Sequence, residues 1–331
     1  MTVLKVLRWL SVILIFPLVY IIIRKTQMPI NIPFLITLGI VLLAIHITGI
    51  TVLIKTKRLE KKLIQKGKIS LKEKNIELCI VAKNEGKDLL NLLEHYLTFP
   101  ETFKIHVYDD SSDDGSYEQL QELAAKWPNR LKVKQLERTD KILHPKGMGL
   151  EAFITETKAD ILLINDADTI VYKEDLEKAI NILEANDYDV VHLSRRNDLN
   201  DSLATKVSDT EELNNTALKV LGITHYCFPG SGILIKTEAA KCVDYSDFIP
   251  GDDHEMGRQL KEAGKNIYHC QTLFVHEKAP VNFSDFFQQR IKWCRNIAYH
   301  LFEHEPLGPY IQSVPGALAL FFLFGIFSPL S

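Results

Sequence analysis

The chain has 331 residues, of which 46% are hydrophobic and 24% charged, and its formal net charge is −3. This length fits one large domain or two small ones, and a near-neutral charge without a recognition-helix or zinc-finger pattern argues against nucleic acid as a partner. The cysteines are scattered without CxxC spacing, which is typical of reduced thiols in a cytosolic compartment. They are Cys79, Cys227, Cys242, Cys270 and Cys294.

Two nearly uncharged stretches, residues 10–23 and 33–54, come first along the chain. A helix that spans a bilayer needs roughly 20 apolar residues, so we predict two N-terminal transmembrane helices within residues 1–54. A signal peptide is the alternative for the first stretch, but a second apolar stretch follows directly and no small-residue cleavage site is visible.

The residues that follow the second predicted span are basic. The linker 55–75 contains KTKRLEKKLIQKGK, whereas the short loop between the two spans offers only Arg24 and Lys25. Because lysine and arginine accumulate on the cytoplasmic side, we predict an integral protein of the plasma membrane whose polar middle faces the cytosol. The basic run also fits a solvated helix face that lies along the membrane surface.

A third apolar stretch closes the sequence at residues 314–330. It is long enough to span a bilayer, so we predict a C-terminal transmembrane segment within residues 307–331. Pro315 and Gly316, near its start, also fit a re-entrant segment, and the stretch could equally be the start of a longer region.

Between these segments, short β-rich runs alternate with helical patterns. The predicted strands are residues 77–82, 103–110, 131–137, 160–166 and 189–195, and the predicted helices are residues 89–97, 116–127, 149–158 and 173–186. This alternation predicts an α/β fold, with a mostly parallel sheet and helices on both faces. In such sheets ligands bind outside the carboxyl ends of the strands.

Three of the predicted strands end in polar clusters, at residues 82–86 (AKNEG), 109–116 (DDSSDDGS) and 166–168 (DAD). Asp and Ser before a helix are ordinary N-caps, but three clusters at successive strand ends favour a ligand site. No GxGxxG follows the first strand and no GxxxxGKS/T occurs, so a dinucleotide-binding or P-loop protein is disfavoured.

Asp166 and Asp168 follow the aliphatic run 161–164 and face the same side if the chain is extended. Two like charges at the tip of a buried strand are costly unless a cation lies between them. Carboxylate oxygens suit Mg²⁺ or Mn²⁺, which commonly also hold substrate phosphates. We therefore predict that both residues are ligands of Mg²⁺ or Mn²⁺, which would stabilise a diphosphate leaving group.

The second half of the sequence adds two polar stretches. Gly230 and Ser231 precede a predicted apolar strand, where the backbone either approaches a ligand closely or makes a simple turn. Asp252 and Asp253 begin a predicted helix that Gly264 ends. They either cap this helix or supply a general base within reach of an acceptor hydroxyl.

An amphipathic helix is predicted over residues 283–306. Its aromatic residues repeat near the helical period and its basic residues occupy another face, a pattern typical of a helix in the membrane interface. A functional interpretation places Gln289, Arg290 and Lys292 beside a phosphate-bearing site and Trp293 against a sugar ring.

Taken together, these motifs resemble those of the family-two inverting glycosyltransferases, which have the GT-A fold. The similarity is greatest to the membrane-embedded branch that includes cellulose, chitin, hyaluronan and poly-N-acetylglucosamine synthases. It covers roughly residues 76–293. It rests on the AKNE turn, the DDSSDDGS run, the DxD at 166–168, an acidic pair eleven residues before a helix-ending glycine, and QRIKW at 289–293.

The resemblance implies a cytosolic GT-A domain over residues 76–282 that binds a nucleotide-sugar donor, with UDP as the expected nucleotide. The residues implied in donor binding are Lys83, Glu85, Asp110, Asp166 and Asp168. Counting back from the helix-ending glycine makes Asp253 the implied catalytic base. The residues implied on the acceptor and diphosphate side are Gly230, Ser231, Asp252, Gln289, Arg290, Lys292 and Trp293.

The implied activity is membrane-bound, inverting transfer of a hexosyl or N-acetylhexosaminyl group to a growing polysaccharide or a lipid-linked glycan. Lys292 departs from the family, which has arginine there, and lysine keeps the charge but loses bidentate phosphate recognition. Two other functions stay open: a sugar nucleotidyltransferase, and a catalytically weak membrane scaffold that binds nucleotide-sugar. His276 is a further candidate metal ligand, although a lone histidine after a strand is more often structural.

Overall fold

The computed structural model describes residues 51, 54–67, 69–136, 145–197, 199–206, 208, 230–245 and 252–291, with only the backbone described at 252–254. The predicted transmembrane segments therefore lie outside the described residues, apart from positions 51 and 54. Among the helices formed by the described residues, none is both long enough and apolar enough to cross a membrane.

Helices and strands alternate along the chain, as predicted. Besides a 3₁₀ helix at Leu71–Glu73 and a short helical segment at 203–206, the described helices are α1 (54–66), α2 (Gly86–Leu97), α3 (Ser116–Lys126), α4 (Pro145–Glu156), α5 (Lys173–Ala185), α6 (Thr237–Ala240), α7 (Asp252–Glu262) and α8 (283–291). The strands are β1 (Ile76–Ala82), β2 (Phe103–Asp109), β3 (Leu131–Gln135), β4 (Ile161–Ile164), β5 (Thr169–Val171), β6 (Val190–Arg196), β7 (Ile233–Lys236) and β8 (Ile267–Glu277).

These strands form one sheet in the order β3-β2-β1-β4-β7-β6-β8-β5. β2 and β4 run parallel to β1, and β3 runs parallel to β2. Beyond β4 the sheet is mixed, because β7 runs antiparallel to β4 and β6, and β5 runs antiparallel to β8. Since β8 is parallel to β6, only β5 and β7 are reversed, which agrees with the prediction of a mostly parallel sheet.

Apolar side chains cover both faces of the sheet. β4 is buried at every position, as expected for a strand with helices on either side. On one face Leu163 belongs to a cluster with Ile180 of α5, and on the other Leu162 belongs to a cluster with Phe153 of α4 and Leu260 of α7. The prediction of helices on both faces is therefore confirmed.

α4 begins at Pro145, four residues before the predicted start. Proline is tolerated in the first turn because its missing N–H would lack a helical partner anyway. Gly149 lies where α4 crosses β1, and a Cβ at this position would be 2.4 Å from Val81 Cγ2, so only glycine permits the close approach. The early start places Lys146 in the first turn of the helix.

α1 packs against the sheet through a narrow face. Glu60 and Leu63 are buried, while the lysines and arginine of this helix are exposed. The chain after α1 is held by α5, because Asn181 Oδ1 accepts a hydrogen bond from the backbone N–H of Ile69 at 2.7 Å. The helix that follows the second predicted span is in direct contact with the core of the sheet, because Leu63 belongs to the same buried cluster as Leu163.

Candidate functional site

The polar clusters predicted at three strand ends meet at one edge of the sheet. β2, β1 and β4 are adjacent and parallel, so the residues that follow them share this edge. The strand order reverses between β1 and β4, and ligands of open α/β sheets bind in the crevice at such a point. β7 begins at the same edge because it runs in the opposite direction to β4.

Asn84, in the turn after β1, joins this turn to the loop after β2. Asn84 Nδ2 donates to Asp113 Oδ1 at 2.8 Å, and Asn84 Oδ1 accepts from the backbone N–H of Asp113 at 2.9 Å. The backbone N–H of Asn84 donates to Ser112 Oγ at 2.9 Å. Its φ of +56° is one that asparagine tolerates better than most residues. Sequence reasoning assigned no role to this asparagine.

Lys83 and Asp110, both predicted to bind the donor, form an ion pair between the same two loops. The Nζ–Oδ2 distance is 3.7 Å, and the lysine is largely exposed while the carboxylate is buried. Asp109 is fully buried and accepts hydrogen bonds from the backbone N–H and hydroxyl of Ser112, so it shapes the loop. Because the lysine is exposed and the separation is long, solvent screens part of this attraction.

The buried side chain of Asn165 fixes the DxD turn, residues 166–168, through hydrogen bonds. Asn165 Nδ2 donates to the carbonyl oxygen of Thr169 at 2.6 Å and to the hydroxyl of Tyr96 at 3.1 Å. Asn165 Oδ1 accepts from the backbone N–H of Gly232 at 3.0 Å. One amide thus connects the DxD turn to α2 and to the start of β7, and a satisfied buried network of this kind rigidifies a site.

Lys146, in the first turn of α4, contacts the first carboxylate of the DxD turn. Its Nζ donates to Asp166 Oδ1 at 2.8 Å and to the carbonyl oxygen of Gly230 at 2.9 Å. An ammonium group of this chain therefore lies beside one of the two like charges at the strand tip. Sequence reasoning missed Lys146 because the helix was predicted to start after it.

Burial and neighbouring carboxylates raise the pKa of two acids in the site, Asp168 and Glu85. Burial, followed by the charge of Asp166, raises the pKa of Asp168, and the positive charges of Arg195 and Lys146 offset part of the rise. Burial also raises the pKa of Glu85, with the charge of Asp168 as the next cause. Glu85 therefore lies close enough to the DxD turn for their charges to interact, which brings two predicted donor contacts into one site.

The segment Gly230–Ser231–Gly232 lies against the DxD turn. Both glycines have left-handed φ values, +74° and +67°. A Cβ on Gly232 would come within 3.1 Å of Leu193 and Val275, so this position also requires glycine. Ser231 is fully buried, and its hydroxyl has no hydrogen-bond partner among the described residues. Such a hydroxyl is a candidate contact for a ligand or an ordered water.

Two family models match the sequence. The model described as glycosyl transferase family 2 matches residues 77–243, just over half of the chain. The chain belongs to glycosyl transferase family 2. A second model, glycosyl transferase family group 2, matches residues 161–330, and no curated protein matches the sequence. The predicted family is confirmed, while the likeness to its membrane-embedded branch remains a prediction.

Solved structures similar to this glycosyltransferase include the mannosyltransferase PcManGT from Pyrobaculum calidifontis in complex with GDP-Man and Mn²⁺. Its TM-score is 0.55 and its identity 17%, over 86% of this chain and 81% of that one. S. aureus TarS 1–349 has a TM-score of 0.46 and 19% identity, over 77% and 72% of the two chains. Its complex with UDP-GlcNAc has a TM-score of 0.46 and 18% identity, over 76% and 73%. The first likeness agrees with the GT-A fold.

In this glycosyltransferase, Asp252 and Asp253 lie in the first turn of α7, as predicted. Their side chains are outside the described part of the structure. α7 ends at Glu262 and is followed by Gly264 with φ +69°, the conformation of a helix-ending glycine. The helix prediction is therefore confirmed, and the role of Asp253 as base remains a prediction.

Gln289 and Arg290 lie on α8, near the end of the described chain. Arg290 donates to Gln289 and, at 2.8 Å, to the hydroxyl of Ser208. These contacts do not test the predicted role of Gln289 and Arg290 at the diphosphate. Lys292 and Trp293, the remaining predicted residues of this motif, lie outside the described residues.

No group of three or more His, Cys, Asp or Glu side chains in the described ranges is arranged to hold a metal ion. Mg²⁺ and Mn²⁺ are commonly held by one or two carboxylates together with substrate phosphates, so Asp166 and Asp168 fit a cation that binds with a diphosphate. His276 is buried on β8 with its ring 4.6 Å from that of Tyr172, an environment that favours the structural interpretation.

Proposed function

We propose that this glycosyltransferase transfers a sugar from a nucleotide-sugar, in UDP-linked form, to a hydroxyl of a growing polysaccharide or a lipid-linked glycan. The transfer inverts the anomeric carbon. The observation that carries the proposal is the meeting of three loops at one sheet edge, where Asn84 joins the first two loops and Lys146 contacts the third. Such an edge offers carboxylates to ribose and cation, and ammonium groups to phosphates.

The nucleoside binds at the ends of β1 and β2 in this proposal. Asp110 and Glu85 supply carboxylate oxygens, which accept hydrogen bonds from ribose hydroxyls or from N–H groups of the base. Lys83 reaches the same loops and exchanges its long ion pair with Asp110 for an oxygen of the donor. The hydrogen bonds of Asn84 keep the two loops at a fixed separation, so the pocket exists before the donor arrives.

The diphosphate binds at the end of β4. Asp166 and Asp168 would hold Mg²⁺ or Mn²⁺, which when bound neutralises the charge of the departing diphosphate. Lys146 turns from Asp166 to a phosphate oxygen, because both anions lie within reach of its ammonium group. The raised pKa of Asp168 supports this assignment, since it marks a carboxylate that lacks full compensation within the protein. A structure of similar fold holds GDP-Man together with Mn²⁺.

Asp253 removes the proton from the acceptor hydroxyl as that oxygen attacks the anomeric carbon and the bond to the diphosphate breaks. Its place in the first turn of α7 supports this role, because a helix N-terminus favours the ionised carboxylate that a base requires. Asp252 is its neighbour on the acceptor side. Gly230 and Ser231 line the acceptor beside the DxD turn, and the unpartnered hydroxyl of Ser231 supports a contact there.

The acceptor reaches the site from the membrane side. Phe283, Phe287 and Ile291 recur every four residues on α8 and are 43%, 54% and 68% exposed, while Phe286 anchors the helix with a buried ring. An exposed apolar row on a helix fits the membrane interface. We place α8 there, with Gln289, Arg290, Lys292 and Trp293 covering the diphosphate and the acceptor sugar. The catalytic domain then lies on the cytoplasmic side of the plasma membrane.

The test uses membranes that contain the full chain, a panel of radiolabelled nucleotide-sugars, and Mn²⁺ or Mg²⁺ against EDTA. Asp253→Asn removes the base, and Asp187→Asn alters a 99% exposed carboxylate at the far edge of the sheet as the matched control. We expect metal-dependent incorporation from one donor that Asp187→Asn retains and Asp253→Asn loses. The size of the product separates a polymer from a single transfer.

Two outcomes contradict the proposal. Radiolabel that ends in nucleotide-sugar instead of glycan would support a sugar nucleotidyltransferase. Donor binding without incorporation, in membranes where the protein is folded, would support a scaffold that binds nucleotide-sugar without turnover.

A further inference from the structure

The pairing of β6 with β8 contains a large irregularity. His192 pairs with His269, but Ser194, two residues later on β6, pairs with Phe274, five residues later on β8. β8 therefore contains three extra residues at this point. Backbone N–H groups in such a bulge lose their partners in the ladder and must find other acceptors.

Glu60 of α1 supplies two of these acceptors. Its Oε2 accepts from the backbone N–H of Gln271 at 3.0 Å and its Oε1 from that of Thr272 at 3.1 Å. The side chain is fully buried, and burial raises the pKa of Glu60 while the backbone hydrogen bonds lower it. Asp175 of α5 completes the set by accepting from the backbone N–H of Phe274 at 3.1 Å.

The part of β8 after the bulge reaches the candidate site. Glu277 pairs with Thr169, the residue that follows the DxD turn, and its carboxylate lies 3.1 Å from Arg195 Nε. The charge of Arg195 acts on Asp168. A slip of three residues would move this part of β8 by about 10 Å along the strand and take Glu277 away from both partners.

We propose that Glu60 is a positioning residue for the DxD turn. By holding the bulge of β8 it fixes the register that places Glu277 against β5 and Arg195, and so fixes Asp168. α1, which follows the second predicted span, is thereby coupled to the end of the sheet where the donor diphosphate binds. This inference rests on the proposed function in one respect, that Asp168 binds the metal ion that accompanies the donor diphosphate.

The test compares Glu60→Gln with Leu63→Ala in the full chain, purified from membranes in detergent. Glutamine keeps one acceptor and brings an N–H group against a backbone N–H, whereas Leu63→Ala weakens the packing of α1 and leaves the carboxylate in place. Hydrogen exchange is measured for residues 271–274 and 167–171 without metal. The dissociation constant for Mn²⁺ is measured separately by electron paramagnetic resonance.

In Glu60→Gln we expect amide exchange in both segments to become about tenfold faster, the change for loss of one charge-assisted hydrogen bond. Mn²⁺ binding should weaken by a similar factor of about ten, because the same contact is lost. Leu63→Ala should change exchange at 167–171 by less than about twofold, since the Glu60 carboxylate keeps its hydrogen bonds to the bulge. If Glu60→Gln does not fold, Asp175→Ala removes the acceptor of the Phe274 N–H and is expected to give the same pattern.

Faster exchange at 271–274 with unchanged exchange at 167–171 would overturn the proposal, because Glu60 would then hold the bulge without positioning the DxD turn. Equal effects of Glu60→Gln and Leu63→Ala at both segments would overturn it as well. A wild-type protein that binds no Mn²⁺ while its variants show the expected exchange pattern would contradict the proposed metal site and leave the positioning role supported.

Discussion

Replacing Lys146 with methionine should change the affinity for metal and the affinity for the donor in opposite directions. Methionine keeps most of the length of the side chain and removes the ammonium group that donates to Asp166 Oδ1 at 2.8 Å and to the carbonyl oxygen of Gly230 at 2.9 Å. Without a donor, a divalent cation competes with this ammonium group for Asp166. With a donor, the ammonium group is available to the diphosphate.

The magnitudes follow from the exposure of the pair. The side chains of Lys146 and Asp166 are 20% and 36% exposed, so solvent screens their attraction. The contact then contributes about 1 kcal/mol, and its loss should tighten Mn²⁺ binding about fivefold. A charge-assisted hydrogen bond to phosphate contributes about 1.5–3 kcal/mol, so binding of UDP at saturating Mn²⁺ should weaken about tenfold or more.

The assay titrates the purified full chain with Mn²⁺, followed by electron paramagnetic resonance, and with UDP at saturating Mn²⁺, followed by calorimetry. Lys146→Arg retains the charge, so it serves as the control and should bind Mn²⁺ like the wild type. If Lys146→Met binds Mn²⁺ no more tightly than the wild type, the ammonium group does not compete for Asp166 and the reasoning is wrong.

Three further predictions concern stability. Gly149→Ala should lower the free energy of unfolding by about 1–3 kcal/mol in urea, because its Cβ would lie 2.4 Å from Val81 Cγ2; an unchanged midpoint would contradict the close approach. Burial raises the pKa of Glu77, but the contact with His106 Nε2 at 3.2 Å and the hydrogen bond from the hydroxyl of Thr157 at 2.7 Å lower it to a value below the ordinary 4.5. This carboxylate therefore stabilises the fold fully above that pH and less as pH falls through the lowered value. Glu77→Gln should therefore flatten the acid limb of a thermal-midpoint profile, and an unchanged limb would refute the linkage. The raised pKa of Asp168 means that its charge destabilises the metal-free protein at neutral pH. Asp168→Asn should therefore raise the thermal midpoint of the metal-free protein and remove the stabilisation by Mn²⁺. A lower midpoint would argue against the repulsion.

The local sequence pattern was sufficient to predict the elements whose residues are all buried. β4 is a run of four aliphatic residues, all buried, and its end at the DxD turn was predicted from the change to acidic residues. The polar clusters after β1 and β2 were placed correctly because parallel strands bring their carboxyl ends to one edge. The residue types at these ends therefore indicated the location of the candidate site before its geometry was known.

The parts that were missed depend on contacts between distant residues. Lys146 lies in a stretch with proline and glycine whose sequence predicts a loop. In the structure this stretch forms the first turn of a helix, and Gly149 of that helix packs closely on β1. The three extra residues of β8 are fixed by Glu60, more than two hundred positions away. Asn84 looked like an ordinary turn residue because its partner, Asp113, belongs to another loop. The periodicity of a single segment does not predict these contacts between residues that are far apart in the sequence.

The reversed direction of β7 has a consequence for how this enzyme can be altered. β6 ends and β7 begins at the same edge of the sheet, so a connection of another length can join them without moving either strand. The loops proposed to bind the nucleoside and the cation follow β1, β2 and β4, all earlier in the chain. Replacing the segment before Gly230 with that of a relative therefore changes the sequence directly before the proposed acceptor residues Gly230 and Ser231 and leaves those three loops unchanged.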